Sequence, residues 1–356
     1  MAKRITIKEI SELANTSKTT VSFYLSGQYH KMSKETKARI EQAIKETNYI
    51  PNAAARRLGS EQSNLVGVII GDVSNIFASQ LIKGIDTQMK NEKYQMILGN
   101  SNYSLDNEKA LLEQMMKMNV DGLIVQPTTQ FRSILKSFKN FSKPIVYVDS
   151  PLSSAQDVPA IQSMTVKSNT YEAVLDAIEQ MIKIGYEEFI MFTGDPSILS
   201  TRLERAQGFY DALELKNIEY KTCIVPEDVK PEFIHEYVSN TLKLSKKTCV
   251  FIANCWLLPI VYKGISSFRY LIPNTIGVLG FDNTEWTNFS YPTVTTIVQP
   301  AEEEGKAACR ILIDVIEGRG NEVPNQILKC HLNVKESTSL NSKINEYNEN
   351  HVINFD

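Results

Sequence analysis

The 356-residue sequence has no apolar run that approaches the roughly 18 residues needed for a membrane-spanning helix. Its first ten residues, MAKRITIKEI, lack the apolar segment that forms the core of a secretory signal. The five cysteines are odd in number and form no CxxC pair; they are Cys223, Cys249, Cys255, Cys309 and Cys330. These absences argue against a membrane protein or a disulfide-linked secreted protein, and they predict reduced thiols in a cytoplasm.

Motifs for metals and nucleotides are missing as well. The four histidines are dispersed and define no metal site; they are His30, His235, His331 and His351. Neither GxGxxG nor the phosphate-loop pattern GxxxxGKS/T occurs, so a dinucleotide or ATP site is unsupported. We therefore expect neither a cofactor nor a bound metal.

Charge is distributed unevenly along the chain. The formal net charge is −3, which by itself does not indicate a nucleic-acid binder. Residues 1–60, however, carry 11 Lys and Arg against 5 Asp and Glu, a net of +6, which leaves −9 for the remainder. This asymmetry suggests a basic module, suited to nucleic acid, joined to an acidic one.

The first fifty residues have the pattern of three short helices. Thr6 and Glu9 have the spacing of a capping box, Ser17 and Ser33 can cap a second and a third helix, and Gly27 can end the second. Two short helices, a tight turn and a third packing helix are the layout of a helix-turn-helix domain. The alternative is a generic three-helix bundle.

Two segments of this region, TIKEISELANTSKTTVSFYLSG and MSKETKARIEQAIKETNYIPNAAARRL, resemble the opening of the LacI/GalR family of bacterial repressors. The resemblance extends from about Ile5 to Ser337 and is most specific at the N-terminus. It implies a DNA-binding transcription regulator, with an effector domain that has the fold of periplasmic sugar-binding proteins.

The resemblance assigns DNA-contacting roles within the second helix. Lys18 and Thr19 occupy base-reading positions, and Phe23 occupies a third, where the family usually has an arginine. Phenylalanine offers only apolar contact, for instance to a thymine methyl group, so we expect an operator that departs from the family consensus there. The alternative for Phe23 is an inward-facing core aromatic. Hydroxyls expected to contact the DNA backbone are those of Thr6, Ser17, Thr20 and Ser22.

The segment 52–60 resembles the family's hinge helix, which folds on the operator and enters the minor groove. Leu58 has the wedge position, where an apolar side chain can open a base step and kink the duplex. The alternative is a flexible linker, because so short a helix is marginal alone. The DNA contacts implied here are Asn52, Ala55, Arg56, Arg57 and Leu58.

After Ser60 short β-rich runs alternate with amphipathic helical stretches. Nearly continuous apolar runs are typical of parallel strands covered on both faces, and the alternation predicts doubly wound α/β sheets. The runs are LVGVII, QMILGN, GLIVQP, IVYVD, EFIMFTG, CVFIANC and TIGVLGFD. The predicted fold class is therefore α/β, with an all-α helix-turn-helix head and two doubly wound parallel sheets.

The predicted domain scheme has four parts. They are a helix-turn-helix domain at 1–51, a hinge helix at 52–60, an effector domain at 61–340 and a polar tail at 341–356. Within the effector domain we expect an N-subdomain of 62–161 and about 292–322, and a C-subdomain of 162–291 and about 323–340. The late strand VTTIVQP and the helix AEEEGKAACRILIDVIEG are expected to return to the first sheet.

Ligands of open α/β sheets bind beyond the carboxyl ends of the strands, so side chains that follow the predicted strands are candidate effector contacts. By resemblance, DVSNIF is similar to the family's DxxNPFF, RAQGF to its RxxGF, and Asp282 to its ligand-binding aspartate. Arg205 is the preferred clamp for a carboxylate or hydroxyl. The predicted set is Ser74, Asn75, Phe77, Asp149, Thr201, Arg202, Arg205, Asn254, Trp256 and Asp282.

Structural alternatives exist for several of these residues. Phe77 could cap the core, Arg205 could pair with a helix acid, Asn254 and Asp282 could cap loops, and Trp256 could pack between the subdomains. The convergence of several loops on one edge of the sheets favours ligand binding.

The mechanism that the resemblance implies is allosteric repression by a homodimer on a pseudo-palindromic operator. Sugar binding would change the pose of the two sheets and weaken operator binding. Leu340, Ile344 and Tyr347 are helically spaced but too few for a tetramerising coiled coil, so we expect a dimer.

The expected effector is an acidic sugar. DVSNIFASQLIKGI and STRLERAQGFYDAL resemble regulators of uronate catabolism in Gram-positive bacteria, which implies 2-keto-3-deoxygluconate or glycosaminoglycan-derived sugars. Alternatives are a neutral sugar effector, an extracytoplasmic sugar-binding protein, or a sugar-modifying enzyme with paired carboxylates among Asp72, Asp149 and Asp282. No nucleophile–base constellation is visible in the sequence, so we do not expect an enzyme.

Overall fold

The computed structural model describes residues 5–49, 62–138, 142–150, 163–282, 284–319 and 325–340. The chain divides into two compact units, Met1–Ser63 and Asn64–Asp356. No helix in the described ranges is long and apolar enough to cross a membrane. The predicted hinge helix at 52–60 and the polar tail at 341–356 lie outside the described residues and stay predictions.

The first unit contains three helices, α1 (Ile7–Leu13), α2 (Lys18–Leu25) and α3 (Lys34–Thr47), with a 3₁₀ turn at Tyr29–Lys31. They enclose one small apolar cluster, which holds the unit together by removing these side chains from water. Its buried members are Ile10, Ala14, Val21, Ile40 and Ala43.

The predicted caps of these helices are confirmed. Thr6 and Glu9 make the reciprocal bonds of a capping box, so two otherwise unpaired N–H groups of the first turn have acceptors. Ser17 accepts from the N–H of Thr20 at the start of α2, and Ser33 caps α3 in the same way. Helix α2 ends at Leu25, and Gly27 follows with φ +72°, a left-handed conformation that glycine adopts without a steric penalty.

The second unit contains two six-stranded sheets in its described residues. Strands of the first are β1 (Leu65–Ile70), β2 (Gln95–Asn100), β3 (Gly122–Val125), β4 (Ile145–Val148), β5 (Ser163–Ser168) and β11 (Gln326–Leu328). Strands of the second are β6 (Glu188–Thr193), β7 (Glu219–Ile224), β8 (Thr248–Ile252), β9 (Ile276–Phe281), β10 (Thr295–Val298) and β12 (His331–Asn333). Their spatial orders are β11-β5-β4-β3-β1-β2 and β12-β10-β9-β8-β6-β7.

Parallel pairing dominates both sheets, as predicted, and helices cover their faces. Among the described pairs only β10 and β12 are antiparallel. The helices are α4 (Ile76–Met89), α5 (Leu105–Lys117), α6 (Phe131–Ser137), α7 (Thr170–Ile184), α8 (Ser200–Glu214), α9 (Pro231–Thr241), α10 (Leu258–Gly264) and α11 (Ala301–Ile316). The predicted α/β class is confirmed.

Helices α4 and α11 pack closely together on the first sheet. A Cβ atom on Gly84 of α4 would overlap the carbonyl oxygen of Glu302, and one on Gly305 of α11 would overlap that of Leu81. Glycine at both positions therefore lets the two backbones approach, and the cluster around them joins both helices to β1, β3, β4 and β5.

One part of the predicted topology is wrong. The strand Thr295–Val298 pairs with β9 and β12 and so belongs to the second sheet, whereas the helix that follows it packs on the first, as predicted. Two further strands expected in the C-subdomain belong to the first sheet: Ser163–Ser168 pairs with β4, and Gln326–Leu328 pairs with β5. The chain thus crosses between the sheets within the loop from β10 to α11, and apolar content alone does not reveal a strand's partner.

Candidate functional site

The first unit presents an exposed polar face on α2. Lys18, Thr19 and Ser22 are exposed, Thr20 is partly buried, and Phe23 is half-buried beside them. Phe23 is not a member of the apolar cluster of this unit. A helix with free side chains of this kind at its N-terminal half has the form required to read base edges in a major groove.

Phe23 has a charged neighbour that the sequence did not reveal. The ammonium nitrogen of Lys31, from the 3₁₀ turn, lies 4.5 Å from the centre of the Phe23 ring. The ring face attracts the ammonium group, so the positive charge of Lys31 lies beside Phe23.

The predicted backbone-contacting hydroxyls of Thr6 and Ser17 are both at helix starts and exposed. Each is already engaged: Thr6 Oγ1 donates to Glu9 Oε2 at 3.0 Å, and Ser17 Oγ is bonded to Thr20 Oγ1 at 2.8 Å. The predicted hinge contacts lie outside the described residues; they are Asn52, Ala55, Arg56, Arg57 and Leu58.

The second unit contains a cleft of about 350 Å³ at the carboxyl ends of the strands of both sheets. Nine of the ten predicted effector residues line it: Asn75, Phe77, Asp149, Thr201, Arg202, Arg205, Asn254, Trp256 and Asp282. Ser74 is not among the lining residues; it is exposed and donates to Asp72 Oδ1 at 2.7 Å.

Asp149 and Asp282 occupy equivalent places at the ends of β4 and β9. Both have a left-handed backbone, with φ +63° and +67°, and both N–H groups continue the ladder of the sheet by donating to Val166 and Ile297. Both residues line the cleft. Left-handed conformations of non-glycine residues are uncommon and occur preferentially at functional sites.

Arg205 lines the cleft, and each of its two terminal nitrogens has a protein partner. Its Nη1 donates to the carbonyl oxygen of Ala253 at 2.9 Å, and its Nη2 donates to Gln299 Oε1 at 3.0 Å. The guanidinium stacks on the ring of Phe281 at 3.8 Å. Arg205 therefore joins loops of the second sheet as well as facing the cleft.

Three buried carboxyl groups, those of Asp149, Asp282 and Glu304, interact electrostatically with Arg205. Burial raises the pKa of Asp149, against the opposing effect of Arg205 and of hydrogen bonds such as that from Gln126 Nε2 at 2.9 Å. Burial raises the pKa of Asp282 to about 7, and the pKa of Glu304 well above its usual range. Glu304, on α11, is fully buried and accepts a short hydrogen bond from Ser168.

Arg202 differs from Arg205 in its partners. Its side chain is only 4% exposed, yet its contacts are long: Nη1 lies 3.4 Å from the carbonyl oxygen of Asp195, and Nη2 lies 4.0 Å from the exposed Glu227 carboxylate. Burial lowers the pKa of this guanidinium. A buried cation with such weak compensation favours an anionic ligand.

Asn254 has the loop-capping contacts of its structural alternative. Its Oδ1 accepts from the N–H of Gly194 at 2.8 Å, which joins the loops after β8 and β6. Asn75 Oδ1 accepts from the N–H of Phe77 at 2.9 Å and from Cys255 Sγ at 3.0 Å, across the two sheets. The amide nitrogens of both asparagines remain for a ligand in the cleft.

The sequence did not identify four lining residues: Tyr103, Gln126, Leu199 and Cys255. Tyr103 and Gln126 follow β2 and β3, so the strand-end rule, applied to every strand, would have found them. The sequence analysis also did not identify Glu304 and Gln299. Glu304 lies at the start of a helix and Gln299 follows a strand, and only the folded chain brings the two elements together near the cleft.

Several polar atoms in the cleft are buried and have no hydrogen-bond partner among the described residues. They are Asp149 Oδ1, Arg205 Nε and Trp256 Nε1. An unpaired buried polar atom is costly, so a group of such atoms around one cleft indicates a hydrogen-bonding ligand. Within the same described ranges no group of three His, Cys, Asp or Glu residues could hold a metal ion.

Three family profiles match consecutive parts of the chain. "Bacterial regulatory proteins, lacI family" matches residues 6–52, and "Periplasmic binding proteins and sugar binding domain of LacI family" matches residues 63–228. "Periplasmic binding protein-like domain" matches residues 178–338.

Curated relatives match over nearly the whole chain. The probable transcriptional regulator EndR of Paenibacillus polymyxa is 28% identical over 96% of this chain and 96% of its own length. The transcriptional regulator KdgR of Bacillus subtilis is 27% identical over 88% of this chain and 91% of its own. Catabolite control protein A of Priestia megaterium is 29% identical over 86% of this chain and 91% of its own length. The first two relatives are named as transcriptional regulators.

Solved structures share the fold. A lac repressor dimer bound to operator and the anti-inducer ONPF has a TM-score of 0.79 at 21% identity, covering 94% of this chain and 99% of that one. The regulator CelR in complex with cellobiose has a TM-score of 0.65 at 21% identity, covering 94% and 100%. The three-helix unit, the two-sheet unit and these matches agree: the chain belongs to the lacI family of bacterial regulatory proteins.

Proposed function

We propose that this transcription regulator is a cytoplasmic repressor that leaves its operator when a small acidic sugar binds the cleft. DNA is its partner through the exposed face of α2, and the five cysteines, all free, suit a reducing compartment. The observation that carries the effector proposal is the cleft itself: two buried arginines, unpaired polar atoms and aromatic rings on one cavity.

The sugar character of the ligand follows from the lining. Phe77 and Trp256 supply aromatic surface for the apolar face of a sugar ring, and asparagine amides and carboxyl groups match its hydroxyls. The acidic character follows from Arg202, whose buried guanidinium has, in the part of the chain that the structure describes, the exposed Glu227 as its ion-pair partner at 4.0 Å. 2-Keto-3-deoxygluconate, which has one carboxylate and several hydroxyls, is the effector we propose.

A homodimer is the proposed working form. Helix α2 has only 8 residues and can read a few base pairs, so one head alone supplies little specificity. Two heads on a pseudo-palindromic operator double the contact. Residues 52–58, with Leu58 as the wedge, remain the proposed minor-groove contact between the two half-sites.

Calorimetry on the full-length protein tests the effector class. We expect 2-keto-3-deoxygluconate or D-glucuronate to bind at least 10-fold more tightly than D-glucose or D-galactose, because only the acids pair with the arginines. Tighter binding of a neutral sugar would reject the acidic effector and leave the DNA-binding role intact.

A neutral sugar is the second candidate. The observation in its favour is that Asp149 and Asp282 line the cleft and can bind the hydroxyl groups of any sugar, whether neutral or acidic. Among the described residues, Asp149 Oδ1 has no hydrogen-bond partner and is available as an acceptor. CelR, which shares the fold, is complexed with cellobiose. The same titrations separate the two candidates.

A further inference from the structure

We propose that the acid group of the effector is bound by Arg202 against the ring of Tyr103, and that Arg205 faces the hydroxyl groups of the effector. This inference rests on the proposed acidic effector and assigns its carboxylate to one end of the cleft. The sequence alone suggests both arginines as partners of the effector and does not say which of them binds its carboxylate.

Arg205 is poorly placed to take a carboxylate. Both of its terminal nitrogens donate to protein oxygens, of Ala253 at 2.9 Å and Gln299 at 3.0 Å, and its face is covered by Phe281. A carboxylate that binds the terminal nitrogens would share them with these oxygens, whereas Nε, which has no partner among the described residues, is left for a hydroxyl of the ligand.

Arg202 has the opposite surroundings. It is 3% exposed as a residue, and among the described residues its ion-pair partner is the exposed Glu227, at 4.0 Å. Its other contact, to the carbonyl oxygen of Asp195 at 3.4 Å, is at the long limit of a hydrogen bond. The planar donor edge of a guanidinium matches a carboxylate, so a bound acid would supply at short range the paired charge that the described residues supply only at 4.0 Å.

Tyr103 and Gly194 shape the space around Arg202. The Arg202 guanidinium carbon lies 5.5 Å from the Tyr103 ring centre, and both residues line the cleft. A Cβ atom on Gly194 would stand 3.1 Å from Arg202 Nη1 and 3.2 Å from Trp256 Cζ2, so a side chain there would crowd the arginine. The arginine is thus held between an aromatic ring and a bare backbone.

The backbone at Tyr103 is adapted to this position. Tyr103 has φ +54° and Asn102 before it has φ +50°, two consecutive left-handed residues of which neither is glycine. The ring packs on Gly71, where a Cβ atom would overlap it. Such a conformation costs free energy and persists where packing enforces it, often at ligand sites.

The test uses 2-keto-3-deoxygluconate and D-glucuronate, with D-glucose as the neutral partner of the latter, titrated calorimetrically into full-length protein. We expect Arg202→Gln to weaken acid binding by about 10- to 100-fold, the usual range for a lost hydrogen bond to a charged group, and D-glucose binding by less than about 3-fold. Arg202→Lys should recover part of the acid affinity because it restores the charge. Tyr103→Leu should weaken acid binding by about 3- to 10-fold.

Controls separate binding from folding. Arg319→Gln removes an exposed arginine that pairs with Glu92 and should leave all titrations unchanged. Arg205→Gln should lower the thermal midpoint and weaken acid and neutral sugar alike, whereas Arg202→Gln should keep the wild-type midpoint within about 2 °C. An Arg202→Gln protein that loses acid and neutral sugar equally, or equals Arg202→Lys in acid affinity, would overturn the assignment.

Two further results distinguish this inference from the proposed function. Acid binding that survives Arg202→Gln unchanged overturns the Arg202 subsite and leaves the acidic effector standing. Failure of both acids to bind the wild type, with D-glucose binding, overturns the acidic effector and this subsite together.

Discussion

The carboxyl groups around Arg205 illustrate how single residues tune this protein. Asp282 is buried, and its pKa in the folded chain is raised to about 7 by burial, with Asp149 adding to the increase and Arg205 opposing it. In the unfolded chain an aspartic acid ionises near pH 4. Between these values the folded state holds a proton that the unfolded state has released.

This difference predicts a pH-dependent stability. Between about pH 4 and pH 7 the native state binds more protons at Asp282, so the free energy of unfolding falls as pH rises, by at most about 1.4 kcal/mol per pH unit from this group. Asp282→Asn removes that slope. Chemical denaturation at pH 5, 6, 7 and 8 should show wild type losing stability relative to the variant up to about pH 7, then a constant difference.

The exposed Asp176→Asn serves as the control for the loss of one negative charge. A difference between wild type and Asp282→Asn that stays constant from pH 5 to pH 8 would show that Asp282 is not protonated in the folded protein.

Phe23 carries a second residue-scale prediction, on DNA sequence preference. Full-length wild type and Phe23→Arg are each used to select operators from a random DNA pool. We expect the variant to acquire a guanine preference at one base pair per half-site, because arginine donates two hydrogen bonds to guanine where Phe23 makes apolar contact. The base pairs that we propose Lys18 and Thr19 read should keep their preferences.

Phe23→Leu is the matched variant, since it keeps the apolar contact and loses the ring under Lys31. It should keep the base preference and bind less tightly. Identical selected sequences for wild type and Phe23→Arg at every position would place Phe23 outside the reading face.

At the scale of elements, the pair α4 and α11 depends on glycines. Gly84→Ala inserts a methyl group toward the Glu302 carbonyl oxygen, and backbone cannot move aside as a flexible side chain can. The gain in helix propensity, about 1 kcal/mol, opposes an overpacking cost of about 1–3 kcal/mol. We expect a net fall in thermal midpoint, larger than that of Thr87→Ala, which changes an exposed position of the same helix. An unchanged or raised midpoint for Gly84→Ala would refute the close approach.

The element scale also shows what the sequence could predict. Strands buried on both faces, such as β1 and β9, have continuous apolar runs and were identified. Strand β7, EYKTCI, lies at a sheet edge and is largely polar, and β11 and β12 have only three residues each, so no apolar run identifies them. The sheet assignment of β10 failed because pairing partners are set by the fold, not by a strand's own composition.

The cleft was predictable to a similar degree and for a similar reason. Most of its predicted residues follow strands whose ends meet at one edge, a consequence of parallel topology. The unequal roles of Arg202 and Arg205 were not predictable, since both occur on one helix three residues apart. Only the folded chain shows that Arg205 donates hydrogen bonds to Gln299 and to the carbonyl group of Ala253. It also shows that the hydrogen bond of Arg202 to the carbonyl group of Asp195 is long.

At the scale of the whole molecule, the proposal couples the cleft to the operator. Linkage requires reciprocity: if the sugar acid lowers operator affinity by some factor, operator must lower sugar affinity by the same factor. In this proposal the first unit of the chain binds the operator, and the second unit, which contains the two sheets, binds the sugar acid.

The most direct measurement is the operator affinity of the full-length protein, by fluorescence anisotropy on a DNA selected from a random pool, with and without 2-keto-3-deoxygluconate. We predict a 5- to 150-fold loss of operator affinity with the acid, the usual range of allosteric coupling, and no loss with D-glucose. Arg202→Gln should bind the same operator and need at least 10-fold more acid for release. Acid that binds the protein without changing operator affinity, or release by D-glucose at lower concentration, would contradict the account.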